Sequence, residues 1–235
     1  EQRIVVYDSA LNYKNTIYTD GQPFKIDIGI NDNIYVTDNF TRLMVYDNNY
    51  QHVITIDPEP FFEGSTFNRV YDVAVDKNGN IYLTCLFGVQ IYDQNYNIKA
   101  ILPFDFSGNI YPSPFKPNSI EVDANGNIYL IDAAYQSVKV FNAELEYLYS
   151  IGNGQGINSD QFSNPQGIAI NDKGFIYVAD QDNHRIQVFT PPVKYKMEVT
   201  PAADGEVVVE LPANATSDLM GNGNEATRFS ITYDG

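Results

Sequence analysis

The stretches Ile34-Tyr35-Val36, Ile81-Tyr82-Leu83, Ile128-Tyr129-Leu130 and Ile176-Tyr177-Val178 are four copies of one tripeptide, separated by 47, 47 and 48 residues. A constant spacing of this size indicates a repeat protein, in which every repeat is one supersecondary unit that packs on its neighbours. Repeats of this kind build extended surfaces, and a surface does not by itself define a reaction.

The third repeat shows how one unit is built. A turn at Asp123 to Asn127 contains Gly126, which can adopt the positive φ that a tight hairpin needs. Short runs rich in β-branched and aromatic residues lie around it and predict four strands, at 119–122, 128–131, 138–141 and 145–151. Four short antiparallel strands in about 47 residues are typical of one blade of a β-propeller. We therefore predict an all-β fold, a propeller of four-stranded blades.

The two ends of the repeat region are incomplete. Residues 3–8 match a third strand and residues 13–18 match a fourth, whereas the last repeat supplies only three strands before Pro191. The count is seventeen strands, about four blades' worth. Three alternatives follow: the N-terminal pair closes a ring with the last repeat, the chain is a piece of a longer propeller, or another copy completes the open edges.

The fourth repeat, from Phe162 to Phe189, resembles an NHL repeat. The resemblance depends on Ile176-Tyr177-Val178-Ala179-Asp180 followed by Asn183-His184-Arg185-Ile186. It covers residues 1–190 and is weaker in the middle repeats, where the Asn-x-Arg-Ile element becomes Phe87-Gly88-Val89 or Gln136-Ser137-Val138. The resemblance implies a propeller that commonly serves as a binding platform, with a minority of members that are enzymes.

Residues 191–235 have a different composition, with Ala, Val, Thr and Glu in place of Tyr and Ile. The element Asp218-x-x-Gly221-Asn222-Gly223-Asn224, with its flanking strand-like runs, resembles the C-terminal half of a bacterial Ig-like surface repeat. We therefore predict two domains, a propeller at 1–190 and an Ig-like β segment at 191–235. A complete Ig-like domain needs about seven strands, and this segment has three candidates.

The net charge is −16. Nucleic acids and anionic membranes would repel such a chain, so we predict neither nucleic-acid binding nor membrane insertion. Together with the Ig-like resemblance, the charge leads us to expect an extracellular or cell-surface protein of a bacterium. The expected partner is a second copy of the chain or another surface protein.

Acidic residues on the predicted first strands lie where a propeller has its axis. Asp27, Asp72 and Glu121 are the candidate metal ligands, and Lys25 is placed to neutralise one of them. Asp27 and Glu121 share one repeat position, whereas Asp72 lies two residues earlier. We predict no cofactor, with a divalent cation such as calcium at these acids as the alternative.

Long loops between the repeats are rich in aromatic residues. One interpretation is that these side chains fill gaps between blades, and the other is that they form an apolar interface for a partner subunit or a carbohydrate. The candidate interface residues are Phe61, Phe62, Phe67, Phe104, Phe106, Tyr111 and Phe115.

The chain has only two histidines, and no serine-hydrolase elbow or phosphate-binding loop is visible. We therefore predict that the protein is not an enzyme. The expected function is structural, namely self-association through open sheet edges, with filament formation as one outcome. Two alternatives stay open: a hydrolase or lactonase with a metal at the axis, and a glycan- or protein-binding module of a larger surface protein.

Overall fold

A computed structural model of the chain describes residues 2–38, 41–60, 69–86, 88–103, 117–190, 205–211 and 227–233. The chain divides into two compact units, Glu1–Val188 and Phe189–Gly235. Apart from one three-residue 3₁₀ turn at Ile30–Asp32, the regular structure in these ranges is β-strand. No helix in the same ranges has the length and apolar character to cross a membrane.

The first unit starts with a two-stranded hairpin and continues with blades of consecutive antiparallel strands. The hairpin consists of β1 (Arg3–Tyr7) and β2 (Tyr13–Tyr18). Blade 1 consists of β3 (Pro23–Ile28), β4 (Ile34–Asp38), β5 (Leu43–Tyr46) and β6 (His52–Ile56). Blade 2 consists of β7 (Val70–Val75), β8 (Ile81–Cys85), β9 (Gly88–Tyr92) and β10 (Ile98–Pro103).

Blade 3 consists of β11 (Pro117–Val122), β12 (Ile128–Asp132), β13 (Ser137–Phe141) and β14 (Tyr147–Ile151). Blade 4 has three strands, β15 (Pro165–Ile170), β16 (Ile176–Asp180) and β17 (Arg185–Phe189). The predicted all-β propeller of four-stranded blades is therefore confirmed. In the second unit, β18 (Gly205–Leu211) and β19 (Thr227–Tyr233) form a two-stranded antiparallel sheet. Two paired strands do not establish an Ig-like segment, which stays a prediction.

The described strands do not close a ring through the N-terminal pair. β1 and β2 form a sheet of their own, separate from the sheet of β15, β16 and β17. The hairpin instead packs on blade 1, where Ile4 and Val6 lie against a cluster that contains Ile34 and Val36. It therefore holds the place of the two outer strands of a blade that precedes blade 1.

The apolar core lies between successive blades. Leu43 and Val45 of blade 1 pack with Val73, Ile81 and Leu83 of blade 2, and all five are buried. A second cluster joins blades 2 and 3 in the same way. Blade 2 therefore buries one face on blade 1 and the other face on blade 3, as the hydrophobic effect requires of a sheet with two apolar faces.

The tyrosine of the repeated tripeptide connects its strand to the preceding turn. The Asp76 Oδ1 atom accepts the N–H groups of Asn78 and Asn80, both at 2.8 Å, and Oδ2 lies 3.3 Å from the Tyr82 hydroxyl. Asp123 makes the equivalent bonds, including one at 3.3 Å from Tyr129. These carboxylates replace missing backbone partners in the turn, which explains why aspartate and tyrosine recur together.

The Asn-x-Arg element of the fourth repeat has a structural role. Arg185 Nε lies 2.7 Å from the buried carboxylate of Asp180. The other guanidinium nitrogens donate to the backbone carbonyls of Ile157, Asn158 and Gln161 at 2.6–2.9 Å. Because a guanidinium can make several directed hydrogen bonds, this one side chain ties the loop before blade 4 to the end of β16.

The same position differs among the blades. Blade 1 has the same ion pair, between Arg42 Nε and Asp38 Oδ2 at 2.9 Å. In blade 2, Cys85 and Gly88 are paired residues at the equivalent positions, and Cys85 is fully buried. Here the carboxylate and the cation are both replaced, so blade 2 buries no unpaired charge at this position.

We predict that Arg185→Ala lowers the free energy of unfolding by about 1–3 kcal/mol, because the buried Asp180 carboxylate loses its cation and three backbone carbonyls each lose one hydrogen bond. Chemical denaturation followed by circular dichroism measures the change. Lys173→Ala, at an exposed turn residue, is the matched control and should leave stability unchanged within about 0.5 kcal/mol. Equal effects of both variants would contradict the structural role of Arg185.

Candidate functional site: the propeller axis and two exposed end faces

The first strands of the four blades lie side by side. β7 lies beside both β3 and β11, and β11 lies beside β15. Within each blade the first strand pairs with the strand that carries the repeated tripeptide, so the register gives the height of each residue along the strand. Asp27 is opposite Tyr35 and Glu121 is opposite Tyr129, whereas Asp72 is opposite Thr84. The candidate acids therefore occupy two levels.

Asp72 connects three blades. Its Oδ2 atom accepts a hydrogen bond from the Ser119 hydroxyl at 2.6 Å and another from the Ile120 N–H at 3.2 Å, both in blade 3. Lys25 Nζ in blade 1 lies 3.9 Å from the same oxygen. Burial raises the pKa of Asp72, while Lys25 and the Ser119 hydrogen bond act in the opposite direction. The predicted neutralisation of one acid by Lys25 thus applies to Asp72.

Asp27 connects blade 1 to blade 2. Its Oδ2 atom accepts the Val75 N–H at 2.7 Å, and its Oδ1 atom accepts the N–H of Ile28 at 2.8 Å. Burial raises the pKa of this carboxyl. Asp27 therefore joins blades 1 and 2 as Asp72 joins blades 2 and 3, at a different height along the first strand.

The carboxyl group of Glu121 also has a raised pKa. Burial raises the pKa of its carboxyl to about 7, and the negative charges of Asp27 and Asp72 act in the same direction. A carboxyl group with a pKa in this range exchanges its proton near neutral pH, which is the property that acid–base chemistry uses.

The three acids share one electrostatic environment without forming a metal-binding group. Within the described ranges, no three His, Cys, Asp or Glu side chains converge in a way that could hold a metal ion. The oxygens of Asp27 and the Oδ2 atom of Asp72 are engaged by hydrogen bonds between or within blades. A metal bound by Asp27, Asp72 and Glu121 stays a prediction, and the geometry better fits carboxylates that join blades.

The aromatic residues of the candidate interface belong to the long segments between the repeats. Phe61, Phe62, Phe67, Phe104, Phe106, Tyr111 and Phe115 all lie outside the described residues. The proposal that they form an interface is therefore unchanged.

A different apolar surface is present on blade 4. The exposed fractions of Tyr177, Ile186 and Val188 are 38%, 68% and 47%. The nine residues at these positions in blades 1–3 are at most 6% exposed: Tyr35, Leu43, Val45, Tyr82, Val89, Ile91, Tyr129, Val138 and Val140. The outer face of blade 4 therefore has the composition of a core face, and none of the described blades packs on it. We call Tyr177, Ile186 and Val188 the C-terminal face.

The opposite end of the repeat array has a second such surface. Phe24, Ile26 and Ile28 on β3 are 51%, 52% and 63% exposed. Ile26 corresponds to Val73 and Ile120, both of which are buried in the interfaces between blades. The N-terminal hairpin supplies only outer strands, so it leaves β3 uncovered. We call Phe24, Ile26 and Ile28 the N-terminal face.

Sequence reasoning identified the open edges but not these faces. The information was present in the alignment of the repeats, because a residue buried in every middle repeat keeps its apolar character in the terminal ones. What was missing was the direction of each side chain, which depends on strand register.

Sequence comparison supports the repeat assignment locally. Residues 162–189 match the NHL repeat family. The chain is 46% identical over 43 residues to the B-box type zinc finger protein ncl-1 of Caenorhabditis elegans, a match that covers 18% of this chain and 5% of that protein. The fourth repeat thus matches the NHL repeat. The similarity to the Caenorhabditis elegans protein is confined to a small part of each chain.

Solved structures show the fold more broadly. Virginiamycin B lyase from Staphylococcus aureus is similar with a TM-score of 0.55 and 12% identity, over 82% of this chain and 64% of the lyase. Proteins of unknown function from Bacteroides caccae and Bacteroides thetaiotaomicron give TM-scores of 0.60 and 0.61, at 12% and 13% identity. The matches cover 82% and 80% of this chain and 66% and 53% of theirs. The chain therefore spans about two thirds or less of these propellers, and at this identity the likeness shows the fold alone.

We predict that Glu121→Gln changes how stability depends on pH. The pKa of Glu121 is raised from 4.5 to about 7 in the folded chain, so the protonated form favours folding. The stabilisation of the folded state by protonated Glu121 is complete below about pH 4.5 and is lost as the pH rises through 7. At pH 8 the variant should be more stable than the wild type by about 1–2 kcal/mol, a value reduced for partial exposure.

Thermal and chemical unfolding at several pH values between about 5 and 8 test this expectation. Glu144→Gln, at an exposed turn position, is the control for loss of one negative charge. The burial argument fails if Glu121→Gln and Glu144→Gln give parallel profiles.

Proposed function

We propose that the chain is a self-associating structural protein, whose copies bind one another through the uncovered blade faces at its two ends. One observation supports this most directly: positions that are buried in blades 1–3 are 38–68% exposed in blade 4. Burying such side chains removes apolar surface from water, which contributes about 25 cal/mol for each Å². An exposed surface made of residues typical of a buried core therefore favours association strongly.

The charge of the chain determines how this association should respond to salt. Each copy has a net charge of −16, so two copies repel each other at low ionic strength. Salt screens this repulsion and leaves the apolar contact in place. An extracellular or cell-surface location belongs to the same proposal, because the −16 charge suits a soluble exterior and the tail resembles an Ig-like surface repeat.

A second candidate function is acid–base catalysis at the propeller axis, in a hydrolase, lactonase or lyase. The observation that favours it is Glu121, whose pKa of about 7 suits a group that donates and accepts protons at neutral pH. A lyase among the similar folds is consistent with this reading. Against it, Asp27 and Asp72 are engaged in hydrogen bonds that join the blades.

We expect the purified chain to have an apparent mass above 26.4 kDa in light scattering after size exclusion, with the mass falling on dilution. Raising the salt concentration should increase the mass, because repulsion between acidic copies weakens. A mass of one chain at every concentration and salt level would reject self-association.

The catalytic candidate predicts that the chain consumes virginiamycin B or a simple lactone and that Glu121→Gln slows this by about 100-fold or more. Chromatography of the remaining substrate measures the rate, with Glu144→Gln as the control. If wild type and Glu121→Gln are equally active, or both inactive, Glu121 has no catalytic role toward these substrates.

A further inference from the structure

We infer that the association is head-to-tail: the C-terminal face of one copy binds the N-terminal face of a second copy. This inference rests on the proposed self-association and adds which surfaces meet. It assigns Tyr177, Ile186 and Val188 on one side and Phe24, Ile26 and Ile28 on the other.

The contact between blades 2 and 3 provides the template. There Tyr82, Val89 and Ile91 of blade 2 belong to one buried cluster with Ile120, and Val122 packs against that cluster. In the C-terminal face, one aromatic and two aliphatic side chains stand at the positions that Tyr82, Val89 and Ile91 have in blade 2. In the N-terminal face, isoleucine stands at the positions that Ile120 and Val122 have in blade 3. The two exposed faces therefore reproduce the two sides of an interface that the chain already makes internally.

The direction of each face decides which pairs can form. In blades 1 and 2, the positions of the C-terminal face point towards the following blade. The positions of the N-terminal face belong to first strands and point towards the preceding blade. A contact between two C-terminal faces would pair two identical surfaces, and the described blades contain no contact of that kind. A head-to-tail contact instead pairs the C-terminal face of one copy with the N-terminal face of another, which is the way that neighbouring blades meet within the chain.

This geometry has a consequence for the assembly. A heterologous contact leaves one unused face at each end of a dimer, so the assembly grows until it closes into a ring or extends as a filament. An isologous contact through one face would stop at two copies. The two arrangements can therefore be separated by disabling the faces one at a time.

The experiment uses the full 235-residue chain with Ile186→Glu to disable the C-terminal face and Ile26→Glu to disable the N-terminal face. Both side chains are more than half exposed, at 68% and 52%, so the variants should fold. Ile157→Glu is the matched control, because Ile157 is 79% exposed in a loop and belongs to neither face. Circular dichroism and thermal unfolding verify that all variants are folded.

We expect wild type and Ile157→Glu to form assemblies in light scattering, and each face variant alone to be monomeric. An equimolar mixture of Ile186→Glu and Ile26→Glu should give a particle of two chains and nothing larger, because only one intact pair of faces remains. The same mixture should be stable on raising the salt concentration.

Three outcomes would overturn the inference. If Ile26→Glu still dimerises while Ile186→Glu does not, the contact is isologous and self-association survives without its head-to-tail form. If the mixture stays monomeric while the wild type assembles, other surfaces make the contact. If the wild type itself is monomeric throughout, the proposed function is rejected as well, and the faces are covered by further blades or by a different protein.

Discussion

A blade has two apolar faces and only its neighbours to cover them, and the structure of this protein depends on that constraint. Helices are nearly absent from the described ranges, so no layer other than another sheet buries Leu43, Leu83 or Leu130. Stability in such an array is a sum over neighbouring interfaces, and each interior blade contributes to two of them. A terminal blade contributes to one. The apolar positions that are buried in the middle of the array are therefore exposed at its ends.

Polar groups at the axis complete the same interfaces. The first strands approach one another closely there, and backbone N–H groups of one blade face the next. Asp27 and Asp72 accept hydrogen bonds from Val75 and Ile120, residues 48 positions further along the chain in each case. Glu121 lies near both acids, and its pKa is raised first by burial and then by their negative charges. Burial between blades therefore raises the pKa of all three carboxyl groups, and two of them also join neighbouring blades by hydrogen bonds.

Much of the fold was predictable from periodicity, whereas the site was predictable only in part. The spacing of the tripeptides and the glycine at Gly126, which has a φ of +85°, indicate hairpins and blades directly. The position of Lys25 near an acid was also predictable from repeat alignment. The choice of Asp72 as its partner and the hydrogen bond from Ser119 depend on contacts between residues about 47 positions apart. Such contacts need the twist and spacing of neighbouring sheets, which a pattern within one strand does not contain.

The sequence alone determined that the chain is built from repeats, where their strands and turns lie, and that it carries a large negative charge. These properties follow from local alternation and from composition, because a strand of period two and a glycine turn need no distant partner to be recognised. Only the tertiary structure decided which apolar side chains are covered. Val45, Ile91, Val140 and Val188 are equivalent in sequence, and the first three are buried while Val188 is exposed. The physical reason is that burial depends on the presence of a neighbouring blade and not on the residue itself.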